Sequence, residues 1–127
     1  MDVDVLVVGL GTAGSAAARA CAHAGLRVRA VDARPLDQTG ARWVNGVPFW
    51  AYEAADLAPP TFPELRAPGT FFHMLAGWGP TRIVVDTAEF AEVDMRHLQL
   101  RLQADARDAG ATLEGGRRVL GLSRVPG

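Results

Sequence analysis

The sequence predicts an α/β fold built on a parallel sheet, and three consecutive segments at its start support this prediction. Residues 3–8 form an almost continuous apolar run rich in β-branched residues, which is typical of a strand buried on both faces. Residues 13–24 are dominated by alanine and have high helix propensity, and Gly25 ends that stretch. Residues 26–31 alternate apolar and basic side chains and predict a second strand. The chain therefore opens with a strand–helix–strand (βαβ) unit.

The composition fits one soluble globular unit. The 127 residues are 49% hydrophobic and 21% charged, and the net charge of −1 gives no electrostatic case for a nucleic-acid partner. All 13 basic residues are arginine. The lack of lysine excludes a phosphate-binding loop of the GK[ST] type and Schiff-base chemistry within these residues.

Cysteine and histidine usage argues against a disulfide and a metal site. Cys21 is the single cysteine, so no internal disulfide is possible and a reducing compartment is favoured. The three histidines, His23, His73 and His97, lack metal-ligand spacing. The apolar start of the sequence lacks the basic n-region of a secretory signal, and no run is long enough for a transmembrane helix. We therefore expect a cytoplasmic protein.

The middle of the chain, residues 33–92, is predicted to be a long irregular arm or insertion. Seven of the eight prolines and all three tryptophans lie between residues 33 and 86, and residues 58–69 are expected to be a loop or an extended arm. Within this arm, residues 70–75 and 81–85 are expected to pair as a hairpin across residues 77–80.

Periodicity returns after the arm and predicts a second helix–strand unit. Apolar residues recur at helical spacing from Met95 to Ala109, with Asp94 as the N-cap and Gly110 as the stop. Residues 111–114 and 118–122 are predicted to be two short strands. We expect residues 1–127 to be the N-terminal portion of one nucleotide-binding domain.

A glycine motif connects the first strand to the first helix. Gly9, Gly11 and Gly14 stand as GLGTAG, the arrangement of a Rossmann-like dinucleotide-binding turn. The first glycine permits the tight turn, the second lets a pyrophosphate approach, and the third allows close packing of helix on strand. Ser15, the next residue, is interpreted as a contact at the helix start or to phosphate. The backbone groups expected to face the phosphates are those of Gly9, Gly11, Thr12, Ala13 and Gly14.

Asp32 completes the dinucleotide pattern at the end of the second strand. It lies 18 residues beyond Gly14, where a carboxylate can accept hydrogen bonds from the hydroxyls of an adenosine ribose. A carboxylate there disfavours a 2′-phosphate and therefore NADP. The alternative is that Asp32 only caps the following turn.

The first βαβ unit resembles the extended fingerprint of FAD-dependent oxidoreductases. Beyond the three glycines, the matching residues are Ala18, Gly25, Val28, Asp32 and Arg34, although glutamate is the more usual acid in this group. The resemblance implies that FAD is the cofactor. It also places Ala33 and Arg34, with Asp32, beside the adenosine.

Residues 93–122 are similar to a later stretch in the group of aromatic-ring hydroxylases, flavin-dependent halogenases and geranylgeranyl reductases. This resemblance implies that Arg96 contacts the pyrophosphate or the ribityl hydroxyls, and that the backbone of Val119 faces the adenine. Family members often place a basic residue after the second strand, on the flavin side. Arg42 is the candidate here, with a solvated loop arginine as the alternative.

The resemblance implies a flavin-dependent oxidoreductase of which this chain is an incomplete piece. Members of the group are several times longer and carry a later glycine–aspartate motif and a substrate domain that are not recognisable here. The group also implies NAD(P)H as a reductant. No catalytic residue and no oligomeric state follow from the sequence. The alternatives are an NAD-binding domain of a dehydrogenase, a non-catalytic nucleotide-binding fragment, and a membrane-associated reductase of prenyl lipids.

Overall fold

The structure is a computed structural model that describes residues 2–69, 72–85 and 89–124. It divides into two compact units, the first made of residues 1–41 and 99–127 and the second of residues 42–98. The helices and strands, in chain order, are β1 (Val5–Val8), α1 (Thr12–His23), β2 (Val28–Val31), β3 (Val44–Pro48), α2 (Phe49–Ala54), β4 (Leu65–Gly69), β5 (Phe72–Leu75), β6 (Arg82–Val85), β7 (Phe90–Asp94), α3 (Met95–Asp108) and β8 (Thr112–Glu114).

The first unit contains the predicted βαβ unit and the predicted parallel sheet. Its sheet has the order β1–β2–β8, and both strand pairs are parallel. Gly25 follows α1 with a φ of 81°, the left-handed conformation that glycine adopts easily and that commonly ends a helix. The α/β prediction is therefore confirmed.

Small side chains let α1 and α3 pack closely on this sheet. Alanines supply the helix side of the contact and the strands supply valine and alanine. The buried core consists of Leu10, Ala18, Ala22, Val28, Ala30, Ala106 and Ala111.

β1 is buried on one face only, whereas the sequence predicted burial on both. Val5 and Val7 pack against the core, while Leu6 is 46% exposed and Val8 is 57% exposed. The side chains of a strand alternate between the two faces of the sheet, so its apolar run covers both faces whether or not a second layer packs there.

The second unit contains an antiparallel sheet and a hairpin. β7 lies between β3 and β4 and pairs with both in antiparallel orientation. β5 and β6 pair as the predicted hairpin, from Phe72 opposite Val85 to Leu75 opposite Arg82. Thr70 and Phe71, which the prediction included, lie outside the described residues.

Residues 33–92 therefore hold more regular structure than the irregular arm that we predicted. β4 also occupies the end of the segment expected to be a loop or an extended arm. Both β3 and β4 contain a glycine and a proline, which depress strand propensity and hide the pattern. Proline is tolerated because each strand pairs with β7 alone, so Pro48 and Pro68 lie on edge strands.

In the last part of the chain, the predictions of a helix and of one strand are confirmed, and the prediction of a second strand is corrected. α3 begins after Asp94, whose Oδ1 accepts a hydrogen bond from the N–H of Arg96 at 3.1 Å, and Gly110 follows it with a φ of 100°. β8 forms within the predicted strand 111–114. The prediction of a strand over residues 118–122 is wrong. These residues are exposed and have no regular structure. In the described part of the chain, no helix combines the length and hydropathy needed to cross a membrane.

Candidate dinucleotide-binding site

The turn after β1 depends on a glycine at its first position. Gly9 has a φ of 94°, a left-handed conformation that other residues rarely adopt. Its N–H donates to the carbonyl of Val31 at 2.8 Å, so the turn begins where β1 still pairs alongside β2. This bond fixes the start of the glycine motif to the end of the sheet.

The other two glycines of the motif are required for different reasons. A Cβ on Gly14 would lie 1.8 Å from the carbonyl oxygen of Gly9, so only glycine permits the approach of α1 to the turn. A Cβ on Gly11 would meet only the Cα of Gly40, at 3.7 Å, which is ordinary van der Waals distance. Packing within the protein therefore requires Gly14 but not Gly11. Glycine at position 11 leaves the helix start accessible to a ligand.

The N-terminus of α1 offers backbone donors for an anion. Gly11 is the N-cap and no side chain caps the helix. The first intrahelical bond runs from the N–H of Ser15 to the carbonyl of Gly11, at 2.9 Å. The N–H groups of Gly11, Thr12, Ala13 and Gly14 precede it and have no intrahelical acceptor. The first turn contains no acidic residue, so nothing there opposes the positive end of the helix dipole.

Asp32 lies just beyond β2 and holds two segments of backbone. Its Oδ2 accepts the N–H of Leu10 at 2.7 Å, and its Oδ1 accepts the N–H of Arg34 at 2.8 Å. The capping role that we considered as an alternative is therefore present. A carboxylate has about four acceptor positions, so two remain for ribose hydroxyls. The two roles of Asp32 are compatible.

A groove of about 390 Å³ opens at the carboxyl ends of β1 and β2. It brings together five of the residues that the sequence assigned to the cofactor, although Val119 is far from the others in the chain. These five are Gly9, Asp32, Ala33, Arg34 and Val119. Ligands of open α/β sheets bind in crevices of this kind, outside the carboxyl ends of the strands. The rest of the lining consists of Val8, Val31, Arg117 and Arg118.

Arg117 and Arg118 are groove residues that the sequence analysis missed. The N–H of Arg117 donates to the carbonyl of Asp32 at 2.7 Å, and the N–H of Gly116 donates to the carbonyl of Arg34 at 3.0 Å. These two bonds attach the segment before Val119 to the segment after β2. The available signal was their position, since two arginines directly precede the residue expected at the adenine.

Arg42 and Arg96, also assigned to the cofactor by resemblance, belong to the second unit. Arg42 is exposed. Arg96 pairs with the buried carboxylate of Asp94, with its Nε 2.9 Å from Oδ1. Arg66 contacts the same carboxylate, with its Nη2 2.7 Å from Oδ2. Hydrogen bonds from Arg96 and then Arg66 hold the pKa of Asp94 far below its usual range.

One family model matches nearly half of the chain. Residues 4–65 match the family model of the FAD binding domain. The match includes β1, the glycine motif, α1, β2 and Asp32, and therefore every groove residue except Arg117, Arg118 and Val119. The predicted cofactor, FAD, and the predicted resemblance to FAD-dependent oxidoreductases are confirmed by this match.

Solved structures share the fold. A geranylgeranyl bacteriochlorophyll reductase-like protein from Thermoplasma acidophilum superposes with a TM-score of 0.84 at 24% identity, over 98% of this chain and 32% of its own. The halogenase PltM in complex with phloroglucinol and FAD gives a TM-score of 0.73 at 16% identity, over 97% of this chain and 29% of its own. The myxobacterial chondrochloren halogenase CndH gives a TM-score of 0.64 at 13% identity, over 90% of this chain and 28% of its own. The chain thus spans about a third or less of these structures. No curated protein matches the chain.

Proposed function

We propose that this chain binds the ADP moiety of FAD as part of a larger flavin-dependent oxidoreductase of the monooxygenase, halogenase or reductase type. The observation that carries the proposal is the groove, where Gly9, Asp32 and Val119 meet at the carboxyl end of the parallel sheet. The match to the FAD binding domain favours FAD over other dinucleotides as its occupant.

The site residues divide by the part of the cofactor that they contact. The N–H groups of Gly11, Thr12, Ala13 and Gly14 bind the pyrophosphate, because they lie at the start of α1 without intrahelical acceptors. The two acceptor positions left on Asp32 take the ribose hydroxyls. The backbone of Val119 faces the adenine.

The arginines of the groove complete the electrostatic environment. Arg34, Arg117 and Arg118 line the groove together with Asp32, and their positive charge favours an anionic cofactor. Arg42 and Arg96 remain predicted contacts to the flavin side and to the pyrophosphate or ribityl chain.

The chemistry of the complete enzyme belongs to the cofactor. The flavin ring supplies the redox chemistry when FAD is bound, and the residues of this chain bind and orient its ADP end. We further propose NAD(P)H as the reductant, on the resemblance to the wider group, and a cytoplasmic location, on the use of a single cysteine.

Calorimetric titration of the 127-residue chain with FAD, ADP, NAD and FMN tests the proposal. FAD and ADP should bind, whereas FMN, which lacks the ADP moiety, should not. GDP is the matched control for recognition of the base and should bind more weakly than ADP. Tighter binding of NAD than of FAD would overturn the flavin assignment, and binding of FMN without ADP would overturn the assignment of the groove.

A further inference from the structure

Two glutamines of α3 are buried in the first unit, one helical turn apart. Gln99 and Gln103 are each 1% exposed. Each amide donates from Nε2 to one backbone carbonyl and to one hydroxyl. Gln99 donates to the carbonyl of Leu10 and, at 2.6 Å, to the Oγ of Ser15.

Gln103 makes the equivalent pair of bonds to a different segment. Its Nε2 donates to the carbonyl of Leu36 at 3.1 Å and to the Oγ1 of Thr39 at 2.9 Å. Both of these residues lie after β2, outside the glycine motif. The two glutamines therefore match in helix, burial and hydrogen-bond chemistry, and differ in the loop that they hold.

The bonds of Gln99 enclose the start of α1. Leu10 and Ser15 lie immediately before and after the four residues that offer backbone donors to phosphate. The hydroxyl of Ser15 also donates to the carbonyl of Leu10, at 3.2 Å, so the amide, the hydroxyl and the carbonyl form a closed hydrogen-bonded ring. The hydroxyl of Ser15 is therefore directed into the protein. It makes the helix-start contact that we predicted as one of two roles, and it does not face the phosphate site.

The ring fixes the direction of a phosphate donor. A trans peptide is planar, so the N–H of Gly11 points opposite to the carbonyl of Leu10. Because Gln99 and Ser15 hold that carbonyl toward the buried side, the N–H of Gly11 is aimed away from it. Donors aimed in advance at an anion bind it better than donors that must be ordered on binding.

The surroundings of Gln99 keep its amide in place. A Cβ on Gly40 would lie 2.9 Å from the Oε1 of Gln99 and 3.2 Å from its Cδ, so the bare glycine provides the space for the amide. The Oε1 atom has no hydrogen-bond partner among the residues that the structure describes. The Oε1 of Gln103 also has no partner there, so this cost is common to both glutamines, and what distinguishes Gln99 is the peptide that its Nε2 holds.

We propose that Gln99 is a positioning residue for the pyrophosphate of the cofactor, acting through the Leu10–Gly11 peptide. The inference rests on the proposed function, because it concerns the same phosphate site. Gln99 itself contacts the loop and not the ligand. Its loss should therefore weaken binding of phosphate-bearing ligands while the adenosine contacts stay intact.

The test compares Gln99→Met with Gln103→Met, which removes the matched amide one turn away. Dissociation constants for ADP and adenosine are measured by calorimetry for both variants and for the unchanged protein, with circular dichroism to verify folding. Gln99→Met should raise the Kd for ADP by about tenfold or more relative to the Kd for adenosine. Gln103→Met should leave the ratio of the two constants unchanged.

The outcomes separate this inference from the proposed function. If Gln99→Met and Gln103→Met change the ADP-to-adenosine ratio equally, Gln99 is structural and the inference is overturned. If the unchanged protein binds neither ADP nor adenosine, the proposed function itself fails. If Gln99→Met does not fold, Ser15→Ala breaks the same ring and should raise the same ratio, and an unchanged ratio in that variant overturns the inference.

Discussion

The carboxylate of Asp32 is hydrogen-bonded to the backbone just after β1, where its Oδ2 accepts the N–H of Leu10 at 2.7 Å. Its other oxygen accepts the N–H of Arg34 at 2.8 Å. The residue expected to recognise the ribose therefore also joins two segments that line the groove. Replacement by alanine would remove both functions at once, so the ribose contact has to be measured by changing the ligand as well as the protein.

We predict that Asp32→Asn weakens binding of ADP more than binding of 2′,3′-dideoxy-ADP. Asparagine keeps the size of the side chain and one acceptor oxygen but removes the charge that strengthens a hydrogen bond to a hydroxyl. Hydrogen bonds to charged groups contribute about 1.5–3 kcal/mol, so the Kd for ADP should rise by about tenfold or more. Calorimetric titration of both ligands against both proteins provides the measurement.

The matched control for this cycle is Asp108→Asn, which removes an exposed carboxylate at the end of α3. It should leave both dissociation constants unchanged. Equal losses for ADP and for the dideoxy ligand in Asp32→Asn would mean that Asp32 only organises the loops and does not contact the ribose.

A second prediction separates the glycine that packing requires from the glycine that a ligand requires. In Gly14→Ala the new Cβ would lie 1.8 Å from the Gly9 carbonyl oxygen, and backbone must move, at a cost of roughly 1–3 kcal/mol or more. In Gly11→Ala the free energy of unfolding should change by less than about 1 kcal/mol, the scale of an N-cap substitution. Urea unfolding followed by circular dichroism measures both.

For Gly11, substitution should affect ADP affinity rather than the free energy of unfolding. Gly11→Ala should fold and yet lose ADP affinity by about tenfold or more, because on the proposed function its methyl group would hinder the approach of the pyrophosphate to the helix start. Adenosine, which lacks the pyrophosphate, should bind the variant almost as well as the unchanged protein. Normal ADP binding by Gly11→Ala would remove the helix start from the site.

The βαβ unit was predictable because its signals are local. The apolar run of β1, the alanines of α1 and the required glycines act within some thirty residues, and each independently favours the same structure. The groove was predictable only in part. The positions of its lining residues Asp32 and Arg34 follow from the βαβ unit, whereas Val119 was predicted from family resemblance.

The remaining features depend on contacts between distant residues. β3 and β4 contain glycine and proline and exist because β7 pairs with both of them. Gly69 in β4 illustrates this dependence, since a Cβ there would lie 2.2 Å from the ring of Phe90, 21 positions later. For Gln99 the sequence predicts only a position in a helix, because no pattern in a single sequence shows which loop its amide contacts.

A third prediction concerns acid stability of the second unit. Arg96 and then Arg66 hold the pKa of the buried Asp94 well below its usual range near 3.8. The folded state therefore binds the proton more weakly than the unfolded state. The stabilisation is fully present above the unfolded value and is lost as the pH falls below it. All three tryptophans lie in this unit, so urea unfolding followed by their fluorescence should show falling stability from about pH 5 to about pH 3.

Two asparagine variants assign this pH dependence to a residue. Asp94→Asn retains an N-cap for α3 but leaves Arg66 and Arg96 without the carboxylate, so stability at neutral pH should fall by roughly 1–3 kcal/mol. This loss is smaller than for a fully buried pair because both arginines remain partly exposed. The acid-dependent part of the tryptophan signal should then flatten.

Asp4→Asn is the control. Arg27 holds the pKa of the exposed Asp4 at about 2, but both residues belong to the first unit. A pH dependence that survives Asp94→Asn and disappears in Asp4→Asn would contradict the assignment.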